Sequence, residues 1–425
     1  MHSKQQPCSS LFRTSCASMA ALSVSVVLVL TIALAQPARA QTYQVLYSFT
    51  GGQDGAYPEA GLTMDGGGNL YGTAYQGGSM NRGTVYKLAR RGTGWALSPL
   101  YNFTGQTDGG APIAGVVFGP NGSLYGTTEF AGHNCGEGCG VVFNLRPPTS
   151  ICKSFLCLWT ETVIYGFHGG SDGANPGFGN LTFDQAGHIY GTTYFGGSHA
   201  GGVVYELTSS NGSWTESPIY TFTGGSDGEN PYSNVIFDAA GNLYGTTFGG
   251  ANGYGTVFKL SPNGSGWTED TLYAFQSSNN GGGNPYGGVV FDAAGNLYGA
   301  TSNGGTGGGG TAYELMSSNG GWNFDLLYSF TSTGYLPGSF GSLTKDSAGN
   351  FYGTTVKDGT NGVGSVFKLT PSNGGWTETD LHDFAGGSGG EIPYGSVLID
   401  ASGNLYGTAS AGGANGYGVI WEITP

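Results

Sequence analysis

Basic residues are scarce. Of 425 residues, 13 are Lys or Arg against 27 Asp or Glu, and charged residues amount to 9%, where a typical domain has about 25%. The first 40 residues hold Lys4, Arg13 and Arg39 and no acid, so the remaining 385 carry ten basic side chains against 27 acidic ones. Such a surface repels nucleic acid and anionic lipid. Stretches with a 3.6-residue apolar period are also missing, so helices should be nearly absent. There is no nucleophile elbow, phosphate loop or HExxH pair, so no cofactor is expected.

Only one long apolar run occurs, from Met19 to Ala35. It follows the positive residues Lys4 and Arg13 and precedes Ala38-Arg39-Ala40, a small-x-small cleavage signal. That pattern is a secretory signal peptide cut after Ala40. The chain beyond it is polar and turn-rich, with no stop-transfer partner, so no retained membrane segment is expected. Residues 1–40 are therefore read as signal peptide and 41–425 as a single domain of an exported protein, placed at the cell surface, outside the cell or in the periplasm.

Glycine, by contrast, is abundant, with 84 residues, and aromatics reach 13%. Both follow a period. Phe237-Asp238-Ala239-Ala240-Gly241-Asn242-Leu243-Tyr244-Gly245-Thr246-Thr247 recurs from Phe291 with one change, at Ala300, and weaker copies start at Met64, Phe118, Phe183, Thr344 and Ile399. The Tyr-Gly pair falls at Tyr71, Tyr125, Tyr190, Tyr244, Tyr298, Tyr352 and Tyr406, spaced 54, 65, 54, 54, 54 and 54 residues apart. A fixed period of this length marks a repeat architecture. Asp-x-x-Gly between β-branched and aromatic flanks reads as a type I turn closed by a positive-φ glycine, with the aspartate capping the turn.

Each repeat supplies four strands, A to D. In the fourth, A is 234–238, B 242–247, C 255–260 and D 267–275. Four antiparallel strands per 40–55 residues indicate the blade of a β-propeller. A D-type strand, 43–49, precedes the first A strand, and the last repeat stops after a C strand, 419–423. Seven complete blades result only if the opening strand completes the closing blade, leaving no orphan sheet edge. The fold expected is an all-β, seven-bladed propeller with 43–49 antiparallel to 419–423. Tryptophans at the start of strand D (Trp95, Trp159, Trp214, Trp267, Trp322, Trp376) are read as packing between blades. Strand C carries Lys87, Asn144, Glu206, Lys259, Glu314, Lys368 and Glu422 at its fifth position, an alternation that suggests charges facing one another around the ring.

In such a blade the B–C loop and the D-to-next-A connection share one face. Here that face carries the long, variable loops, so it is the candidate binding face. Its connections repeat Gly-Gly-x-Asp-Gly-x-x-Pro, and Asp54, Asp108, Asp172 and Asp227 are candidate ligand-binding residues, although Asp-Gly also simply makes turns. Glu129, His133, His168 and His199 lie in loops of adjacent blades on the same face and are candidates for a metal or acid–base cluster; His188 falls on the other face and His382 in a strand. The second repeat is 11 residues longer and holds Cys135, Cys139, Cys152 and Cys157. Strand C separates the pairs by roughly 15–20 Å at about 3.3 Å per residue, too far for one zinc site. Two local disulfides, Cys135–Cys139 and Cys152–Cys157, are expected in an oxidising compartment.

Asn-Leu-Tyr-Gly-Thr-Thr followed by Gly-Thr-Val-Phe-Lys-Leu resembles the GloVer tandem-repeat family of exported bacterial proteins, over about residues 43–425. The Asp-x-x-Gly-Asn-Leu-Tyr hairpin also looks like the A–B turn of NHL-type propellers. The resemblance implies a secreted or cell-surface protein and transfers no catalytic residue. The expected function is a monomeric binding module for a glycan or protein. A propeller lyase or hydrolase using the cluster in blades 2 and 3 is the alternative.

Overall fold

Seven four-stranded antiparallel sheets follow one another along the chain, the order within each running A-B-C-D. The computed structural model describes residues 41–132, 138–148, 159–177, 179–264, 266–276, 281–318, 321–331 and 338–425. Blade 4 shows the pattern: β14 (Ile236–Phe237), β15 (Leu243–Thr247), β16 (Thr256–Asn263) and β17 (Gly266–Ala274). Strand A is only two residues long, C extends further than the sequence suggests, and D is displaced by one residue at unchanged length. Among the described residues the only helical turns are two short 3-10 segments, Ala251–Gly253 and Gly387–Gly389. No helix there is long and apolar enough to cross a membrane. The closing blade joins β26 (Leu398–Ile399), β27 (Leu405–Ala409) and β28 (Val419–Thr424) to β1 (Thr42–Ser48), as the strand count requires.

The repeated phrase is explained residue by residue. Asp238 accepts the backbone N–H groups of Ala240 and Asn242, the Asn242 amide and the Tyr244 hydroxyl, and Gly241 takes φ +85°. Tyr244 then meets Phe291 of the next blade edge-on at 5.0 Å. Gly245 is required because the fully buried Phe258 ring from strand C lies over it; a Cβ there would be 2.7 Å from the ring. Thr246 donates to the Gly287 carbonyl of the next blade at 3.0 Å. Equivalent bonds join Thr73 to Ala114, Thr192 to Ser233, Thr354 to Gly395 and Thr408 to Ala60, the last across the closure. The tryptophans pack between blades as expected: Trp159 on Tyr71, Trp322 on Tyr244 and Trp376 on Tyr298.

The strand C charges do not pair around the ring. Lys87 is 3.9 Å from Asp65 of its own blade, and Glu422 meets Arg90 rather than Lys87, at 3.6 Å. Among the described residues none of these ends pairs with its counterpart in a neighbouring blade. Successive C strands are separated by the width of a blade, which a residue further along the strand spans and the fifth position does not.

One strained position recurs. The residue before the connection proline has positive φ in Tyr57, Ala111, Asn175, Asn230, Asn284 and Ile392. Its N–H donates to the B–C loop of the preceding blade and its carbonyl accepts from the end of its own strand B, as in Ile392 to Val363 and Ser410 to Ile392. Asparagine suits this conformation and also bridges: Asn230 Nδ2 reaches the Tyr194 carbonyl at 2.9 Å. A β-branched residue is poorly suited to it. Ile392→Asn should therefore stabilise the protein by about 1 kcal/mol, read as a rise in the urea midpoint at unchanged slope.

Candidate functional site

The seven D–A connections converge on the propeller axis. Small residues let them do so: a Cβ on Gly179 would be 2.3 Å from the Asn234 backbone, and one on Gly395 2.6 Å from Ala60. The cavity at the mouth of this throat has a volume of about 70 Å³ and is lined by residues of all seven connections.

The residue after the connection proline, or its equivalent, lines this mouth in blades 1, 2, 5, 6 and 7. In blades 4 to 7 it is Tyr232, Tyr286, Phe340 and Tyr394. Tyr286 stacks on Phe340 with centroids 4.1 Å apart, and Phe340 meets Tyr394 at 5.1 Å. Residues just after strand B extend the arc: Tyr194 lies 4.3 Å from Tyr232, and Phe248 lies 4.7 Å from Tyr286. These side chains are half-buried, with rings packed against each other, and Tyr286, Phe340 and Tyr394 line the mouth.

Blade 1 places Glu59 where blade 3 has Gly177 and the remaining blades have aromatic or aliphatic side chains, and it lines the same cavity. Blade 2 places Glu129 where its neighbours have Tyr75 and Tyr194. Burial, and then the nearby Glu129 carboxylate, push Glu59 up to about 7. Burial pushes Glu129 up to about 7. The field of this pair also reaches the rings: Tyr75 is raised by burial and then by Glu129 and Glu59, and Tyr394 by burial and then by Glu59. Two carboxyls that burial holds well above the usual carboxylate range thus lie beside an arc of six aromatic rings. Such a concave, largely apolar surface with a few convergent polar groups is the usual form of a ligand site.

The sequence-selected residues are placed as follows. Asp54, Asp108, Asp172 and Asp227 are each 8% exposed. Asp54 accepts from the Tyr47 hydroxyl at 2.9 Å and from the Thr50 backbone and hydroxyl, and Asp108 and Asp227 repeat this with Tyr101/Thr104 and Tyr220/Thr223. Asp172 instead holds Tyr165 and His168, whose Nδ1 lies 3.1 Å away. The four carboxylates therefore fasten their own loops. His199 is exposed, with Nδ1 2.9 Å from the Ser198 hydroxyl. His133, Cys135, Cys152 and Cys157 lie outside the described residues, and Cys139 is buried. Of the proposed cluster, Glu129 lies near enough to Glu59, which lines the axial mouth, to raise it, and Glu59 is a residue that loop position and spacing did not single out.

A family model described as the Gloeobacter/Verrucomicrobia repeat matches residues 31–159, 137–340 and 338–425. No curated protein matches the chain. Similar solved structures include a protein from Bacteroides uniformis, provisionally described as a 6-phosphogluconolactonase, at 15% identity and a TM-score of 0.51, covering 86% of this chain and 99% of that one. Another is an ulvan lyase of a polysaccharide lyase family, bound to -[GlcA(1-4)Rha3S]-, at 12% identity and a TM-score of 0.50, covering 87% and 94%. At such identities the likeness concerns the fold alone.

Proposed function

The chain belongs to the Gloeobacter/Verrucomicrobia repeat family, and we propose that it is an exported binding module that takes a glycan at its axial mouth. The observation that carries this reading is the arc Tyr194–Tyr232–Phe248–Tyr286–Phe340–Tyr394 opposite Glu59 and Glu129. Aromatic rings offer rigid apolar area at low entropic cost and suit the C–H faces of sugar rings. Carboxylates accept hydrogen bonds from sugar hydroxyls. The residues shared by all blades are occupied in turns and blade contacts, so the departures from the repeat are what individualise this mouth.

Retention of a neutral oligosaccharide on a glycan array, followed by calorimetry, tests the proposal. Tyr286→Ala should weaken binding at least tenfold, an effect of about 2 kcal/mol for a central aromatic anchor. Equal binding by this variant, or no retained glycan, would end it. A second reading rests on the Glu59/Glu129 pair itself: two carboxyls poised near neutrality form an acid–base couple of the kind used in glycoside cleavage. Product release from the retained glycan, lost in Glu59→Gln, would favour that reading over binding alone.

A further inference from the structure

On the opposite face, the A–B turn of blade 3 departs from those of most other blades at one place. The turn aspartate is followed four residues later by Asn in blades 1, 4, 5, 6 and 7 (Asn69, Asn242, Asn296, Asn350, Asn404), and its amide bonds the aspartate. In blade 3 this residue is His188. Strand C contributes Glu206 to the same spot. His188 Nδ1 lies 3.0 Å from Asp184 Oδ2 and 3.3 Å from Glu206 Oε1. One donor atom from each of the three residues falls within 4.8 Å of the other two.

We propose that Asp184, His188 and Glu206 form a binding site for a divalent transition-metal cation, zinc foremost. Two observations carry this beyond a cluster of acids. The first is geometric. Zinc bonds to nitrogen and oxygen are about 2.0–2.2 Å long, so neighbouring ligand atoms around the ion stand roughly 3.0–3.5 Å apart. The two contacts at the His188 Nδ1 atom have that spacing. The second comes from blades 1 and 7, which place a cation at the equivalent acids, whereas Glu314 of blade 5 accepts from the Tyr298 hydroxyl. Lys87 Nζ stands 3.9 Å from Asp65 in blade 1, and Arg90 stands 3.6 Å from Glu422, the counterpart of Glu206 in blade 7. In blade 3 the lysine position is Glu206 itself, and Pro262 stands in blade 4 where blade 1 has Arg90. Among the described residues no Lys or Arg pairs with Asp184 or Glu206.

The remaining surroundings suit a metal. Tyr190 donates its hydroxyl to Glu206 Oε1 at 2.6 Å, which orients the carboxylate, as outer hydrogen bonds do for metal ligands. Asp184 Oδ1 is held by the His188 backbone N–H at 2.8 Å, leaving Oδ2 for the ion. All three residues are half-buried, so water can complete the coordination. Two carboxylate oxygens and one imidazole form a borderline-hard set, and among the divalent ions it suits, zinc binds more tightly than manganese.

Calorimetric titration with zinc sulfate at pH 7.5, on untagged protein, tests the site. One equivalent per chain is expected. His188→Asn and Glu206→Lys should each weaken binding at least tenfold, and both should fold, because Asn242 and Lys259 occupy these places in blade 4. Glu59→Gln, at the far mouth, should bind zinc as the parent does. Absence of stoichiometric binding, binding unchanged in both blade 3 variants, or loss in Glu59→Gln would each overturn the proposal.

Discussion

Lowering the pH from 7.5 to 5.5 should raise the unfolding temperature, against the expectation that a protein is most stable near neutrality. The cause is a column of glutamates in strand D. Glu161, Glu269 and Glu378 are pushed up to about 7 and Glu216 to about 8, first by burial. Next in effect, Asp108 raises Glu161 and Asp172 raises Glu216, both being the loop-fastening acids of their blades. One oxygen each of Glu161, Glu216 and Glu378 is buried with no hydrogen-bond partner. Glu59 and Glu129 at the mouth are raised likewise. In the unfolded chain a glutamate titrates near 4.3.

The folded pKa exceeds the unfolded one, so between about 4.5 and 7 the folded state holds more protons, and stability falls as pH rises through that window. Asp65, Asp238, Asp346 and Asp400 act the other way. Burial pushes them up, but hydrogen bonds from Asn69, Asn242, Asn350 and Asn404 outweigh it and hold them below the ordinary value. Their contribution is present above about pH 4 and is lost below it. The stability maximum should therefore fall between about pH 4.5 and 5.5.

Each fully retained proton is worth about 1.4 kcal/mol per pH unit. These glutamates are partly exposed and solvent screens them, so a net one to two protons, about 1–3 kcal/mol per unit, is the expected slope. Urea melts at pH 5.5, 6.5 and 7.5 measure it. Replacing Glu161, Glu216 and Glu269 with Leu, the residue at Leu97 in blade 1, should flatten the slope and stabilise the protein at pH 7.5. A midpoint that is unchanged or lower at pH 5.5 would refute the account.

The propeller was legible because its determinants are local and repeated seven times. Asp-x-x-Gly makes the same hairpin wherever it stands, and Tyr-Gly-Thr makes the same contact with the next blade. The closure followed from counting strands, with no knowledge of any contact. The mouth was not legible in this way, since its residues come from distant loops that meet only at the axis. Asp54, Asp108, Asp172 and Asp227 drew attention because they recur in four connections, and each is held by the backbone of its own turn. Glu59 and His188 carry the opposite signal. Aligning the repeats on the connection proline sets Glu59 beside Ile113, Gly177, Tyr232, Tyr286 and Tyr394; aligning them on the turn glycine sets His188 beside five asparagines. An acid in an apolar column, or an imidazole in an amide column, is a change that the shared architecture does not require.

Removing residues 41–50 from the 41–425 chain should abolish cooperative unfolding, because the ring and not the blade is the folding unit. That strand covers the outer edge of β28, which would otherwise offer unpaired backbone groups for aggregation. Phe49 is fully buried against Tyr86 of blade 1 at 5.2 Å, and its N–H donates to the Gly418 carbonyl at 3.0 Å. Tyr43 stacks on His382 of blade 6 at 3.6 Å and packs near Trp421, the largest fully buried side chain. One strand thus supplies core to blades 6, 7 and 1. Phe49→Ala alone should cost about 3–5 kcal/mol. The deletion goes further, since every blade depends on a neighbour through bonds such as Thr408 to Ala60 and Thr246 to Gly287. In an open array of independent repeats, damage at one end would stay local. Amide hydrogen exchange separates the two cases: with a closed ring, protection of Leu243–Thr247 in blade 4 should collapse along with that of β28. If blade 4 keeps its protection and its melting transition after the deletion, the blades stand on their own and closure contributes only to the seam.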